Sequence, residues 1–530
     1  MWNLLTGPGA AYRPGLAATA LLALSVVVSA RSVIVVGPAD DLQAALNRTS
    51  AGDVIELAPG ATYSGNFVLP VRADTGIVTI RTRGEAGQPP AGGRVAPRDA
   101  RLLAKLQSGS SQPVLRTAPG AHGWRLELLE FGPNAQGVGD IITLGDGSTS
   151  QSELRQVPRD LTIDRCYIHG DPTRGQKRGI ALNSARTAIT GSYIADIKGV
   201  GVDTQAIAGW NGPGPFTIEN NYLEAAGEAF LLGGATPGIR ELVPSDVTFT
   251  RNHVSRPSEW RSEKWQVKNL LELKNARRVT ISQNLFERNW VAAQQGYAIL
   301  FTPRGERGEA AWATVEDVLF DRNVVRDVAA AISISGHDDG GPSGLAKRIR
   351  ISRNLFHAFD REQWGGNGFF LLIGDGPSDV IVDRNTILQR GNLIEAYGAV
   401  RGAAVTIERF TFQNNLALHN SFGIHGQSRG VGNDTINAYF PGGVITHNVL
   451  AGARASSYPA GNFFPTEAEL MAQFMDANQG DYRLKPDSRY ETSADDGTRL
   501  GAPIQQLKRL LGIIVDLRDR PEVGVGAVRR

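Results

Sequence analysis

The chain has 530 residues, of which 41% are hydrophobic and 20% charged, so it has enough apolar material for a large core. Its 55 basic and 53 acidic residues nearly cancel, which argues against nucleic acid as a partner. Cys166 is the single cysteine of these residues, which excludes an internal disulfide and a cysteine-based zinc site. The composition is typical of a globular protein and not of a disordered or membrane-embedded chain.

The first 30 residues have the features of a secretory signal peptide. Arg13 precedes an apolar run over residues 16–28, and small residues follow up to Ala30. The run is short for a membrane span, which needs about 20 apolar residues; an uncleaved anchor is the alternative. We expect residues 1–30 to be removed and the rest to act in the periplasm or outside the cell, as a monomer without stable membrane insertion.

Residues 40–65 predict a short amphipathic helix, a turn, a strand and a glycine-rich corner. Such a segment can cover the open end of a stacked core. We interpret residues 31–530 as a single domain. Within it we assign 31–130 to an N-terminal cap and the first coils, 131–455 to regular coils, and 456–530 to a C-terminal cap.

A short pattern repeats through most of the chain: two hydrophobic residues in alternation, two further residues, an asparagine, and a hydrophobic residue two positions later. Ten matches lie 26 to 39 residues apart, and the residues at the asparagine position are Cys166, Ser192, Asn221, Asn252, Asn284, Asn323, Asn354, Asn385, Asn415 and Asn448. A unit of this size with only short strands buries its apolar face by stacking on copies of itself. The sequence therefore predicts an all-β, right-handed parallel β-helix of about ten or more coils.

Stacked coils place asparagine above asparagine, so each amide is expected to bond its equivalent one coil away as a ladder. We also expect these asparagines to adopt the left-handed conformation at a tight corner. Propellers and leucine-rich repeats fit less well, because their repeats are longer and shorter, respectively.

The stretch NLLELKN is unusual among the predicted strands because it carries charge. Side chains alternate across a strand, so Leu271 and Leu273 are predicted to face the core. Leu270, Glu272 and Lys274 then face solvent. A functional site is one interpretation, and a surface ion pair that keeps the strand soluble is the other.

Strands predicted to stack beside this one, one per coil, bring further polar side chains to the same face. Since coils lie about 4.8 Å apart, such a strip suits a long anionic or hydroxyl-rich polymer. The predicted substrate-binding residues are Asp203, Trp265, Lys268, Asp375, Glu395, Tyr397 and His425. Trp265 is included because tryptophans in the loops between coils can stack on sugar rings; burial against the coils is the alternative.

The glycine-rich loop SGHDDGGPSG offers a second chemistry. It presents His337, Asp338 and Asp339 just past a strand end. Two carboxyl groups about 5–10 Å apart serve glycoside hydrolysis, so His337 and Asp338 are candidate catalytic residues. A solvated Asp–Gly turn is the alternative.

Three stretches resemble a known group of proteins. The opening LQAALNRTSAGDVIELAPGATY, the asparagine repeats and the closing DYRLKPDSRY…DGTRLGA are similar to secreted bacterial β-helix proteins of the pectate-lyase-like superfamily. The resemblance covers nearly all of the chain after residue 30. It implies the fold and leaves the reaction open, because this fold also carries hydrolases, epimerases, esterases and adhesins.

A local resemblance is more specific. The stretch ELKNARRVTISQN is similar to the chondroitinase B and alginate lyase family, in which a strand ends in a catalytic lysine before a short turn. The resemblance implies that Lys274 is catalytic and that Arg304, on the next coil, corresponds to the family's catalytic arginine. It also implies Ca²⁺ ligands at Asn269 and Glu272, although the family's glutamate spacing is not reproduced.

Lyases of acidic polysaccharides remove a proton from the carbon next to a carboxylate. The reaction needs a base, a cation to neutralise the intermediate and an acid for the leaving oxygen. We therefore expect Lys274 to act as base and Arg304 to assist the leaving group or bind substrate, with Ca²⁺ held by oxygen ligands. The sequence predicts a secreted lyase of a uronic-acid-containing polymer. A glycoside hydrolase on the same fold and a non-catalytic adhesive protein are the alternatives.

Overall fold

The computed structural model describes residues 31–84, 86–400 and 402–514; the predicted signal peptide lies outside them. Three long sheets, in which every neighbouring pair of strands is parallel, extend along the chain from Val33 to Ala451. The first sheet has 14 strands: Val33–Val36, Val54–Leu57, Val78–Thr82, His122–Glu127, Arg159–Asp164, Ala185–Thr190, Phe216–Glu219, Ser245–Thr250, Ala276–Ser282, Val315–Asp321, Ala346–Ser352, Ser378–Asp383, Thr411–Gln413 and Val444–Thr446.

Within a coil, the strand of the first sheet is followed by one strand of the second sheet and then by one strand of the third sheet. The second sheet has 13 strands: Thr62–Ser64, Ala104–Gln107, Leu129–Phe131, Tyr167–His169, Tyr193–Ile197, Tyr222–Ala225, His253–Val254, Leu285–Asn289, Val324–Val328, Leu355–His357, Thr386–Ile387, Leu416–Leu418 and Val449–Ala451. The third sheet has 12: Phe67–Leu69, Leu115–Thr117, Asp140–Leu144, Arg178–Leu182, Gln205–Gly209, Glu228–Leu232, Asn269–Leu273, Tyr297–Phe301, Ala330–Ser335, Leu371–Gly374, Ile394–Tyr397 and Ile424–Gly426. The protein is a right-handed parallel β-helix, as predicted.

Helices are few and short. The α-helices are Leu42–Asn47, Arg361–Trp364, Asn433–Tyr439, Glu467–Met471 and Ile504–Ile514. Single 3₁₀ turns or short 3₁₀ helices occupy Pro97–Leu102, Leu154–Gln156, Ser258–Ser262, Glu306–Gly308, Ala455–Ser457, Ala477–Gln479 and Arg489–Glu491. Two small antiparallel pairs join Ala399–Val400 to Ala403–Ala404 and Phe474–Asp476 to Asp481–Leu484. Over the described ranges, no helix combines the length and apolar character needed to cross a membrane.

Inward side chains of the coils form one continuous core. In the third sheet the register aligns an unbroken inward row: Leu115, Ile142, Ile180, Ile207, Phe230, Leu271, Ile299, Ile332, Leu371, Ile394 and Ile424. These side chains are at most 1% exposed. Full burial of one such side chain stabilises the fold by roughly 1.5–3 kcal/mol, so stacking identical coils is strongly favoured.

The predicted asparagine ladder is confirmed. Oδ1 of Asn323 accepts hydrogen bonds from the backbone N–H and the side-chain amide of Asn284, both at 2.9 Å. The same pairing recurs along the stack, from Ser192, which donates its N–H to Asn221, to Asn462, one position beyond the predicted set. These groups are buried, so each one left unpaired would cost about 1–3 kcal/mol.

The expectation that the ladder asparagines are left-handed is wrong. A positive φ instead belongs to the residue before each ladder position: Arg165, Gly191, Asn220, Arg251, Gln283, Arg322, Arg353, Arg384, Asn414 and His447. The chain therefore makes its corner one residue early. This leaves the backbone N–H of the asparagine itself directed at the next coil, where it forms the ladder bond.

The ends of the core are covered by different elements. Helix Leu42–Asn47 packs its apolar side into the main core at the N-terminal end, as predicted. Helix Asn433–Tyr439, together with Tyr458, joins the core at the other end. Helix Ile504–Ile514, within the predicted C-terminal cap, packs against Leu285 and neighbouring side chains on the outer face of the second sheet. The described part of that cap therefore also protects a side of the stack.

Candidate active site

Outward side chains of the third sheet form one row that crosses the stack. The register places these residues side by side: Arg116, Thr143, Ala181, Ala208, Leu231, Glu272, Leu300, Ser333, Leu372, Glu395 and His425. Neighbouring strands lie about 4.8 Å apart. We name these residues the outward row; it is the face on which the sequence placed the polymer-binding strip.

The strand that directly precedes Asn269–Leu273 in this sheet was not predicted from the sequence. Glu228–Leu232 lies beside Asn269–Leu273 and brings Glu228 level with Asn269. The short apolar run AFLL, which ends at a pair of glycines, was the available signal. The prediction that Leu270 faces solvent is wrong, because this side chain is fully buried in the main core. Strict alternation fails there because Leu270 lies at the start of its strand, next to the corner of the coil.

Lys274, Arg304 and Asp338 line one cleft of about 340 Å³ on the outward row. They come from three successive coils, just beyond the carboxyl ends of neighbouring strands. The side chain of Lys274 is 15% exposed and that of Arg304 is 45% exposed. The amine is therefore recessed in the cleft, and the guanidinium lies at its rim.

Short contacts fix these groups relative to one another. The backbone N–H of Arg304 donates to the carbonyl oxygen of Lys274 at 2.8 Å. Nε of Arg304 lies 3.5 Å from Oδ1 of Asp338, and that oxygen also accepts the N–H of Gly340 at 2.7 Å. Asp338 therefore orients Arg304 across the cleft.

Glu272 is a nearly buried charge in the wall of the cleft, only 3% exposed. Its Oε1 lies 3.1 Å from Nζ of Lys274, whereas its Oε2 is buried without a hydrogen-bond partner. Oδ1 of Asn269 is also buried and unpartnered, while its Nδ2 donates to Gln294 at 2.9 Å. Unpaired buried oxygens are costly, so a cation or a proton bound to these two atoms would remove that cost.

Glu228, which sequence reasoning missed, completes this acidic group. It is 1% exposed, and its Oε2 accepts a hydrogen bond from Gln205 at 3.0 Å. Burial and the negative charge of Glu272 raise the pKa of Glu228 above its usual value. A cation near both carboxylates would relieve this repulsion.

The donor chemistry fits a hard cation such as Ca²⁺, which takes oxygen ligands. Glu228, Asn269 and Glu272 supply two carboxylates and one amide. Among the described residues, no three Asp, Glu, His or Cys side chains are grouped to hold a metal ion. A cation held by the two carboxylates and the amide would therefore take its other ligands from water or substrate.

Lys268 and Asp203, predicted to bind substrate, are engaged with each other. Nζ of Lys268 lies 2.6 Å from Asp203 and 3.5 Å from Glu228, and its side chain is only 13% exposed. Burial by itself would lower the pKa of Lys268, but Glu228 and Asp203 raise it above the usual value. This amine therefore contacts Glu228 of the acidic group and is not among the residues that line the cleft.

The loop of His337 contributes only Asp338 to the cleft. His337 is exposed, lies outside the lining and uses its backbone carbonyl to accept a bond from the Ser335 hydroxyl. Asp339 is exposed as well. The structure therefore does not bring His337 into the cleft, and of the two adjacent carboxylates in this loop only Asp338 lines it.

The remaining predicted polar residues lie further along the same face, outside the cleft lining. Glu395 and His425 form a half-buried pair, with Nδ1 of His425 3.0 Å from the carboxylate. Tyr397 hydrogen bonds with Ser335 and Asp375, and burial raises its pKa. Glu395 and His425 belong to the outward row, but they lie at its C-terminal end and apart from the cleft.

Trp265 is not available for stacking on a sugar. It is 7% exposed and packs in an apolar cluster with Trp260, Trp290 and Trp364. Nζ of Lys198 lies 5.1 Å from the Trp265 ring. The predicted sugar contact is wrong because these tryptophans pack against one another beneath the connecting loops.

Three lining residues had no recognisable signal in the sequence: Gln294, Gln295 and Tyr297. Tyr297 is 5% exposed, and its hydroxyl accepts a hydrogen bond from Asn367 at 3.1 Å. Burial raises the pKa of Tyr297. These side chains close the cleft at the end of the strands opposite Lys274.

Comparison with known proteins establishes the fold. No family model and no curated protein matches this sequence. Among solved structures, a mannuronic acid specific polysaccharide family 6 lyase enzyme from human gut microbiota aligns with a TM-score of 0.50 and 13% identity, over 91% of this chain and 99% of that one. The PL6 family alginate lyase AlyGC aligns with a TM-score of 0.50 and 14% identity, over 93% of this chain and 59% of that one. The shared architecture is the parallel β-helix. At such identities the similarity is one of fold, and the reaction must be argued from the site.

Proposed function

We propose that this protein cleaves a uronic-acid-containing polysaccharide by β-elimination. The observation that carries the proposal is the single cleft with recessed Lys274 and, at its rim, Arg304 held by Asp338. Polysaccharide lyases among the proteins of similar fold support it. The features of residues 1–30 support export, which would bring the enzyme to an external polymer.

In the proposed reaction, the amine of Lys274 takes the proton from the carbon next to the carboxylate of a bound uronic unit. The electron pair of that C–H bond forms a carbon–carbon double bond, and the neighbouring glycosidic C–O bond breaks. The departing oxygen receives a proton from water or from the Lys274 ammonium. Arg304 donates hydrogen bonds to this oxygen or to the substrate carboxylate as negative charge develops.

The proposal includes Ca²⁺ held by Glu228, Asn269 and Glu272. When bound, the ion supplies positive charge that makes the proton next to a uronate carboxylate easier to remove. The two unpartnered buried oxygens and the repulsion between the carboxylates support this part. Glu272 has a second task in the proposal: its Oε1 keeps the Lys274 amine directed into the cleft.

A panel of acidic and neutral polysaccharides, alginate first, tests the reaction with the full chain. A lyase creates an unsaturated sugar end that absorbs ultraviolet light, so absorbance should rise together with reducing ends. Reducing ends without absorbance would show a glycoside hydrolase and overturn the proposal. Neither signal on any acidic polymer would favour a non-catalytic binding protein.

A further inference from the structure

A second cavity, of about 500 Å³, lies on the N-terminal coils and not at the cleft. Its floor contains Arg116, Thr143 and Ala181, three consecutive members of the outward row. From Thr143 the row continues through Ala181, Ala208 and Leu231 to Glu272 in the cleft. These four strand steps correspond to about 19 Å. The cavity and the cleft therefore lie on one sheet face, within reach of one extended chain.

The cavity wall is preformed. Asn183 Oδ1 accepts the backbone N–H groups of Trp210 and Asn211 at 3.0 and 2.9 Å. Gln151 Nε2 donates to the carbonyl oxygens of Asn183 and Asn211 at 2.9 and 2.8 Å. These bonds tie the 145–158 loop to the coils, so little conformational entropy would be lost when a ligand enters.

Trp210 presents a half-buried ring held in a defined orientation. Its Nε1 donates to the carbonyl oxygen of Gly147 at 2.8 Å, and the Arg178 guanidinium lies 5.2 Å from the ring centroid. A Cβ on Gly147 would come within 2.1 Å of the ring, so the close approach requires glycine there. A rigid aromatic ring beside amide and hydroxyl groups is suited to the apolar face and hydroxyls of a sugar.

The positive charge of Arg116 favours an anionic ligand group at one position in the cavity. Arg116 is exposed, and over the described ranges its guanidinium has no hydrogen bond or ion pair. The carboxylate of Asp140 is balanced by Arg178 at 2.9 Å, whereas Asp146 accepts the N–H of Ser148 at 2.7 Å. Arg116 is thus the cation left to form the paired hydrogen bonds that a guanidinium makes with a carboxylate.

We infer that this cavity is a second binding site for the same anionic polysaccharide, in which Trp210 contacts a sugar ring and Arg116 a uronate carboxylate. The inference rests on the proposed function for the identity of the polymer. A chain held at both places spans the sheet face between cavity and cleft. Long chains therefore bind better than short ones, and cleavage occurs within the chain.

The test compares long-chain polyuronate with a trisaccharide of the same polymer, which is too short to reach from the cleft to the cavity. The variants are Arg116→Ala, Trp210→Ala and Gly147→Ala, the last of which displaces the ring without removing it. The control is Arg409→Ala. Arg409 is exposed and pairs with Asp379 on the first sheet, away from the cavity and the cleft. Thermal unfolding of every variant checks that the fold is intact.

We expect the three cavity variants to raise KM for the long polymer about tenfold, or about 1.4 kcal/mol, with kcat unchanged. Rates on the trisaccharide and all properties of Arg409→Ala should stay at wild-type values. Equal losses on both substrates, or no loss on the polymer in Arg116→Ala, would overturn the inference.

A direct measurement of polymer binding tests the cavity independently of whether the protein cleaves the polymer. Calorimetry with the Lys274→Ala protein measures affinity for the uncut polymer, with and without Arg116→Ala. A roughly tenfold loss of affinity supports the cavity even if no polymer is cleaved. Affinity that is unaffected by Arg116→Ala, or absent for every anionic polymer, counts against it.

Discussion

The amine of Lys274 lies 3.1 Å from one oxygen of Glu272, and the other oxygen of that carboxylate is buried without a partner. Glu272 lies on the strand Asn269–Leu273 and Lys274 directly follows that strand, so the two side chains, two positions apart, reach the same side of the sheet. Glu272 is only 3% exposed. This contact is therefore a buried pair inside a cleft, in contrast to the solvated surface pair that the sequence alone allowed.

Replacement of the proposed base tests the reaction directly. Lys274→Ala should lower kcat by roughly 10²–10⁴, the usual contribution of a general base, and should also lower the Tm, because buried Glu272 loses its ion-pair partner. Ultraviolet absorbance of the product measures the rate. Lys347→Ala, which removes a lysine paired with Glu316 on the first sheet, is the control and should remain fully active. Wild-type activity in Lys274→Ala would exclude this residue as the base.

Arg304, at the rim of the cleft, should stabilise the negative charge that develops during the reaction. Arg304→Ala is expected to lower kcat/KM by about 10²-fold, because it removes donors aimed at the developing charge. Arg348 offers a matched control: its side chain is 46% exposed, against 45% for Arg304, and it is also paired with carboxylates. Steady-state kinetics should show no change in Arg348→Ala. Similar losses in both variants would point to a general electrostatic effect on substrate approach.

Calcium should bind the acidic group in the absence of substrate. A ligand at 100 times its Kd stabilises the folded state by about 2.7 kcal/mol, so calcium should raise the Tm of the wild-type protein. Glu228→Gln and Glu272→Gln should abolish the increase, whereas Glu316→Gln, on the first sheet, should keep it. A wild-type Tm that does not respond to calcium would remove the metal from the proposal.

Glu224 predicts a pH dependence of stability. Burial raises the pKa of Glu224 to about 7, against about 4.3 in an unfolded chain. Between these values the folded state binds more protons, so the free energy of unfolding falls as pH rises, by roughly 1.4 kcal/mol per unit of pKa difference.

Glu224→Gln removes this titration and keeps acceptor and donor atoms for Tyr222 and the Asp196 N–H. Relative to wild type, the variant should be more stable at pH 8 and about equally stable at pH 4, as measured by denaturant unfolding. The same difference at both pH values would contradict the assignment.

The asparagine ladder predicts a position-dependent loss of stability. Asn323 accepts two bonds from Asn284 and donates to Asn354 and to the carbonyl of Ile281. Asn323→Ala leaves these buried groups unpaired and should lower the free energy of unfolding by several kcal/mol, at about 1–3 kcal/mol per group. Asn462→Ala, at the partly buried end of the ladder, should lose less. Equal losses would mean that ladder bonds do not set the cost.

The repeated asparagines and alternating apolar residues by themselves determine the parallel β-helix. Each repeat has the same local preference for short strands and a tight corner. Identical coils can then bury their apolar faces only by stacking. The same logic places Lys274, Arg304 and Asp338 together, since residues at the ends of successive strands become neighbours in space.

Only the tertiary structure decides burial on the outward face. Connecting loops have no repeat, and their packing buries Trp265 and forms the wall of the cavity at Trp210. Register across coils also brings Glu228 beside Asn269, although 41 positions separate them in the chain. Such contacts depend on how segments distant in the sequence pack together in the folded protein, and a local sequence pattern does not specify that packing.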